Sequence, residues 1–247
     1  IDIDPVALRK GHVKIRNNSS ENSSNTVHSN IVSTGVPNLH MGVEVRIVDS
    51  VTRQLCSPNT VGEVWISSQS VGKGYYGKDK ISEETFRTKL ANCDHGNHGN
   101  FLRTGDLGFI YNGELFVTGR EKDVIIINGK NHYPQDIELS VQECHNEIRP
   151  GCIAALHHQD HEVGTDSLIV LAEIRNQKEV RPEHLQLIVD EISRVVPAKH
   201  GLSAQRIIIL KQHSLPKTTS GKLQRSKTKE MLLTGLLDKK ILLSVGE

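Results

Sequence analysis

Apolar residues recur along this chain with two periods, and the change from one to the other falls near residue 122. In Val43-Glu44-Val45-Arg46-Ile47 every second side chain is apolar, as in a strand with one buried face, and Gly62-Glu63-Val64-Trp65-Ile66 is similar. Two β-prone runs, Phe109-Ile110-Tyr111 and Leu115-Phe116-Val117, flank Asn112-Gly113, a pair that tolerates positive φ at both central positions of a type I′ turn. A hairpin is expected there. Val124 to Ile127 predicts a further strand, ended by Asn128-Gly129. From Pro134 the spacing turns helical: Ile137, Val141 and Cys144 recur every three to four residues behind a proline suited to the first turn. Ile153 to Leu156 and Leu168 to Ile174 predict strands. Pro182 opens an amphipathic helix with Leu185, Ile188, Val189, Ile192, Val195 and Val196 on one face. Arg206 to Leu210 is expected to be the final strand, and a last helix runs from about Ser226 through Leu233. No internal repeat is present.

Two polar stretches interrupt this pattern. Asn17 to Asn30 is low in complexity and almost without apolar residues, so it buries too little surface to offset its ordering entropy and predicts a mobile loop. Asn92 to Asn100, rich in Asn, Gly and His, predicts a second loop. The chain opens at Ile1 rather than Met, which reads as a piece of a longer protein.

Composition narrows the function classes. A formal charge of +1 over 247 residues and 4% aromatic residues do not suit a dedicated nucleic-acid binder, which needs a basic excess and stacking platforms. No apolar run approaches the ~20 residues of a membrane span, and no signal-peptide pattern opens the chain. The four cysteines show no C-x-x-C spacing, which suits free thiols in a reducing compartment, the cytoplasm.

Three clusters could carry chemistry: Arg103-Thr104-Gly105-Asp106-Leu107; Gly119-Arg120-Glu121-Lys122-Asp123, continuing to Glu138; and Pro216-Lys217-Thr218-Thr219-Ser220-Gly221-Lys222-Leu223-Gln224-Arg225. Asp106 is expected between a glycine turn and the hairpin, where a carboxylate can accept from two hydroxyls, as from a ribose diol. Lys222 follows Ser220-Gly221 in a stretch that also holds Lys217, Arg225, Lys227 and Lys229, chemistry suited to phosphate. Taken singly, each cluster has a plainer reading, a turn former or a solvated basic face. Cys93, His95 and His98 match no standard zinc spacing and read as a surface loop, as do His157, His158, Asp160 and His161 before Gly164. No metal ligands are assigned.

In this order and at these distances, the three clusters resemble the later core motifs of the adenylate-forming superfamily: acyl-CoA synthetases, peptide-synthetase adenylation domains and luciferases. Gly62 to Ile66, continuing through Gly74-Tyr75-Tyr76 to Thr85-Phe86, is similar to the motif before them. The match runs from about Gly35 to Arg225. Within it, Asn131-His132-Tyr133-Pro134-Gln135-Asp136-Ile137-Glu138, with Phe101 to Phe109 and Gly113 to Arg120, is similar to fatty acyl-AMP ligases. Other branches usually place an arginine where Asn131 stands.

The resemblance implies an α+β fold: the end of a large adenylation domain with a small β-rich subdomain over Ile1–Glu121, then a compact mixed α/β small domain over Lys122–Glu247. It implies ATP- and Mg²⁺-dependent activation of a fatty acid to acyl-AMP, with pyrophosphate released and the acyl group passed to an acyl carrier protein. Asp106 would hold the ribose hydroxyls, with Arg120 beside it against ribose or phosphate. Lys122 would be the hinge, and Gly129 and Asn131 would lie in the loop of the second half-reaction. Lys222 would bridge the substrate carboxylate and the α-phosphate. The superfamily's phosphate loop, its adenine-binding segment, most of the fatty-acid tunnel and the insertion typical of fatty acyl-AMP ligases would precede Ile1. Two rival readings are an acyl-CoA synthetase and a non-catalytic adenylation-like binding module; Asp106, Arg120 and Lys222 count against the second.

Overall fold

A computed structural model describes residues 1–16, 29–91, 100–159, 166–175 and 181–246. They form two compact units, Ile1–Lys122 and Asp123–Glu247. The loops expected at Asn17–Asn30 and Asn92–Asn100 lie almost wholly outside the described residues.

The first unit contains β1 (Asp2–Ile3), α1 (Pro5–Arg9), β2 (Ser29–Asn30), β3 (Ser33–Gly35), β4 (Glu44–Val48), β5 (Gly62–Ser67), α2 (Asp79–Phe86), β6 (Leu102–Tyr111) and β7 (Glu114–Arg120). Five strands make one antiparallel sheet in the order β3-β7-β6-β5-β4. The hairpin expected at Asn112-Gly113 joins β6 to β7: Tyr111 pairs with Glu114, and the two turn residues have φ of 51° and 82°. Its arms are locked by Phe109 and Phe116, which face each other in register with rings stacked 5.2 Å apart. Val48, Trp65, Leu90 and Phe101 form a buried cluster in this unit. Helix α2 was not expected, because it has no apolar stripe; Ser82 is its one buried residue. Contacts outside the helix hold it instead. The Ser82 hydroxyl accepts from Tyr75 N–H at 2.8 Å, and Phe86 packs edge-on against Tyr75.

The second unit contains β8 (Ile125–Ile127), β9 (Lys130–His132), α3 (Pro134–Cys144), β10 (Ile148–Gln159), β11 (Asp166–Ile174), α4 (Pro182–His200), β12 (Ala204–Leu210), α5 (Arg225–Leu233) and β13 (Ile241–Val245). Its sheet has the order β10-β11-β12-β13; only β11 and β12 run parallel, and α4 is the crossover between them. Alternation along β11 explains the two-sided core. Leu168, Val170, Ala172 and Ile174 face α3 and α4, whereas Ile169 and Leu171 join Leu215 and Leu237 and the flank of α5 on the other side. Arg206–Leu210 is therefore not the final strand. Ile241–Val245, too short to signal itself, pairs along the open edge of β12. Likewise Asn128-Gly129 does not merely end a strand but turns the chain back, so that Lys130–His132 pairs with Ile125–Ile127.

Candidate active site

The first cluster corrects an expectation. Thr104-Gly105-Asp106 is not a turn ahead of the hairpin but a bulge inside β6. Across it, Glu63 pairs with Leu107 and Trp65 with Arg103, so Val64 alone faces three residues. A bulge leaves ladder groups unpaired and turns a side chain to a new direction. Gly105 takes the strain at φ of 70°. The freed groups find side chains: Gly105 N–H donates to Glu63 Oε1 at 3.2 Å, the Thr104 hydroxyl donates to Val64 O at 2.7 Å, and Asp106 N–H donates to Thr104 Oγ1 at 3.0 Å. Glu63, only 2% exposed, also accepts from Trp65 Nε1 at 2.8 Å and Arg103 Nε at 2.9 Å. The Arg103 guanidinium in turn lies over the Trp65 ring.

This buttress delivers Asp106 opposite Arg120 of β7, whose Nε donates to Asp106 Oδ1 at 3.0 Å. The structure thus brings together these two expected site residues. Asp106 is 37% exposed, and its second oxygen accepts nothing among the described residues. The role of Glu63 was missed. The signal was a carboxylate two residues before the chain's single tryptophan, in a run otherwise suited to burial.

In the second unit, Lys222 is exposed near the end of a small closed loop. Lys217 and Leu223 bridge its base, Thr218 N–H donates to Lys222 O at 2.8 Å, and Lys222 N–H donates to Thr218 Oγ1 at 3.0 Å. Three residues on, Arg225 begins α5 and makes a two-pronged ion pair with Glu138 of α3, while its Nη1 reaches Asp123 at 3.3 Å. Ala155 N–H also donates to Glu138 Oε1 at 3.1 Å. Burial pushes the Glu138 carboxyl up, against the hydrogen bonds and charge of Arg225, which pull it down. Glu138 and Arg225 stood within the expected clusters without a role. Their partnership spans 87 positions, and no local pattern could show it.

Lys122 is exposed within a single 3-10 turn, Glu121–Asp123, at the junction of the two units. Gly129 is at the tip of the β8–β9 hairpin, and Asn131 pairs with Ile126 on its returning arm. His157 and His158 belong to the end of β10 rather than to a loop, and His157 Nε2 meets Asp166 Oδ1 at 2.8 Å across the ladder. Cys93, His95, His98, Asp160, His161 and Gly164 lie outside the described residues. Cys56, Cys144 and Cys152 are free thiols. Among the described residues, no three His, Cys, Asp or Glu side chains converge as a cation cage.

Comparison with known proteins identifies the family. The Disco-interacting protein 2-like AMP domain family matches residues 122–241. Over 208 residues the chain is 42% identical to the medium-chain-fatty-acid–[acyl-carrier-protein] ligase JamA of Moorena producens (strain JHB), covering 84% of this chain and 34% of that protein. The chain belongs to the adenylate-forming, AMP-binding superfamily. A second superfamily relative, provisionally named fatty-acid–CoA ligase fadD21 in Mycobacterium leprae (strain TN), is 39% identical over 212 residues, 83% of this chain and 36% of its own length. Among solved superfamily structures, one from work on fatty acyl-adenylate ligases of E. coli and L. pneumophila superposes with a TM-score of 0.73 at 27% identity. It covers 95% of this chain and 37% of the other. The chain spans about a third of the length of these relatives. No helix among the described residues is long and apolar enough to cross a membrane.

Proposed function

We propose that this chain forms the carboxyl-terminal third of a fatty acyl-AMP ligase, which activates a fatty acid with Mg-ATP in the cytoplasm, releases pyrophosphate and passes the acyl group to an acyl carrier protein. The observation that carries the reading is the Asp106–Arg120 pair: a half-exposed carboxylate, held on a buttressed bulge, with one oxygen taken by an arginine and the other open. Such a group accepts from ribose hydroxyls while the neighbouring guanidinium meets ribose or phosphate oxygens. Lys222 bridges the attacking carboxylate and the α-phosphate. Two anions repel as they approach, and a cation held between them lowers that repulsion most where charge concentrates in the transition state. Because Asp106 and Lys222 belong to different units, Lys122 serves as the hinge between a large-domain portion, 1–121, and a small domain, 122–247. Rotation there withdraws Lys222 and brings in the hairpin of Gly129 and Asn131 for acyl transfer.

The test is direct. An enzyme of the relatives' full length carrying this chain is given ATP and a fatty acid, and acyl-AMP and pyrophosphate are followed. Asp106→Ala raises KM for ATP at least about tenfold, as expected when a charged acceptor of ribose hydroxyls is lost. No acyl-AMP from the unaltered enzyme would overturn the reading. The 39% identity to a protein provisionally named a fatty-acid–CoA ligase favours one rival, thioester formation with free coenzyme A.

A further inference from the structure

Glu173 is the only charged residue in the apolar run Leu168–Ile174, and its side chain is 1% exposed. An isolated carboxylate buried so deeply is costly unless several donors meet it. Four do. Arg149 Nη1 donates to Oε2 at 2.8 Å, and three consecutive backbone N–H groups, of His213, Ser214 and Leu215, donate at 3.0, 2.8 and 2.7 Å. These residues lead out of β12, with His213 at φ of 57°, a conformation that a non-glycine residue adopts only when its surroundings hold it there. The Ser214 hydroxyl donates back to Lys211 O at 2.7 Å, and Leu215 is buried in the core beside α5.

The next residue is Pro216, whose carbonyl accepts from Gln224 N–H at 3.0 Å and so closes the base of the Lys222 loop. The incoming end of that loop is therefore tied to one buried carboxylate, Glu173. Its outgoing end is tied to a second, partly buried carboxylate, Glu138, through Arg225. Between these ties the loop is exposed from Thr219 to Lys222.

We propose that Glu173 is a positioning residue for Lys222, fixing the incoming end of its loop so that the ammonium reaches one place during adenylate formation. The inference rests on the proposed function. A misplacement of about 1 Å costs on the order of 10²-fold in rate. Glutamine keeps the shape of Glu173 but replaces one acceptor oxygen with a donor, so one end of the N–H cluster is left unpaired.

In the full-length enzyme, E173Q lowers kcat for adenylate formation by about 10- to 100-fold, leaves KM for ATP nearly unchanged, and spares consumption of preformed acyl-AMP. V170A, a cavity on the opposite face of the same strand, serves as the control for stability loss alone and spares both half-reactions. In the 247-residue chain, amide exchange at 213–222 rises in E173Q but not in V170A. If E173Q does not fold, R149M removes one of the four donors and gives a smaller, equally selective loss. Equal loss of both half-reactions in the folded variant, or unchanged exchange at 213–222, overturns the proposal. An unaltered enzyme that makes no acyl-AMP overturns the functional reading instead, while the exchange result still decides whether Glu173 holds the loop.

Discussion

Arg225 grips Glu138 with two parallel hydrogen bonds, Nε to Oε1 at 2.7 Å and Nη2 to Oε2 at 2.6 Å. The third nitrogen of the guanidinium reaches Asp123, the first residue of the second unit. The start of α5, the middle of α3 and the chain just past Lys122 are thereby tied to one planar cation. These three points of the second unit therefore share one hydrogen-bonded charge cluster.

Removing one member of this cluster should cost more than removing two. Arg225→Met leaves the partly buried Glu138 and Asp123 without their cation, a change that costs up to about 3–5 kcal/mol. Adding Glu138→Leu removes one uncompensated carboxylate and should restore a large part of the loss. Thermal unfolding of the 247-residue chain reads both. A double variant as unstable as the sum of the singles would show that the pair is not coupled.

How much of this was legible in the sequence depended on whether a signal was local. Asn112-Gly113 declared its hairpin because two adjacent residues carry the turn. Helix α4 declared itself because its apolar stripe runs for about three turns. Asp106, Arg120 and Lys222 were expected from ordered motifs, and the structure pairs the first two. The bulge at Gly105 was not expected, because it is defined by a mismatch of register with Val64, 41 positions away. Helix α2 lacks an apolar face, and β13 has meaning only as a partner for β12. Glu173 was visible as a charge inside an apolar run, but its three backbone donors 40 to 42 residues on were not.

Lys222→Ala tests the adenylation step. Loss of one preorganised cationic donor should slow adenylate formation at least about 10²–10³-fold. Consumption of preformed acyl-AMP should change far less, because in the proposed cycle Lys222 would by then have rotated away. Equal loss in both half-reactions would rule out a two-conformation cycle.

Lys122→Pro tests the hinge. Proline holds φ near −65° and removes the N–H, so it restricts rotation at an exposed single turn while leaving both cores untouched. If the retained conformation is the adenylating one, acyl-AMP accumulates and transfer stalls. Normal transfer kinetics would place the hinge elsewhere.

Glu173 predicts an acid limb of stability. Burial pushes its carboxyl up, but the hydrogen bonds from Leu215 N–H, Arg149, His213 and Ser214 outweigh this and hold it below the usual glutamate range. A group that binds its proton more weakly folded than unfolded contributes its full stability above about pH 4.3, the unfolded value, and loses it as pH falls through the lower folded one. Asp49, depressed chiefly by the backbone hydrogen bond from Thr52, acts in the same direction and cancels on subtraction. The stability gap between the unaltered chain and Glu173→Gln should therefore be constant near neutrality and narrow below about pH 4. A gap independent of pH would contradict the assignment.

The acyl acceptor is predicted to be the phosphopantetheine arm of an acyl carrier protein rather than free coenzyme A. Asn131 stands on the returning arm of the β8–β9 hairpin, at a position where other branches of the superfamily usually carry an arginine. Around the Lys222 loop, by contrast, Lys217 and Lys227 are exposed and Lys229 is half-buried on α5, while Arg225 is already engaged by Glu138. A carrier protein is acidic as a rule, so these lysines would meet it as rim charges, which chiefly speed encounter. Their reach is set by a Debye length of about 8 Å at physiological ionic strength, so transfer to the carrier should slow as salt rises, while adenylate formation, driven by Lys222 within the closed site, should respond less. Lys217→Glu with Lys227→Glu should raise KM for the carrier severalfold and leave acyl-AMP formation intact. The deciding assay offers the full-length enzyme ATP, a fatty acid and either acceptor, and follows the thioester. Efficient acyl-CoA formation with the carrier left unacylated would overturn the prediction and establish the coenzyme A reading, because a hairpin without the arginine would then have proved no obstacle to the free cofactor.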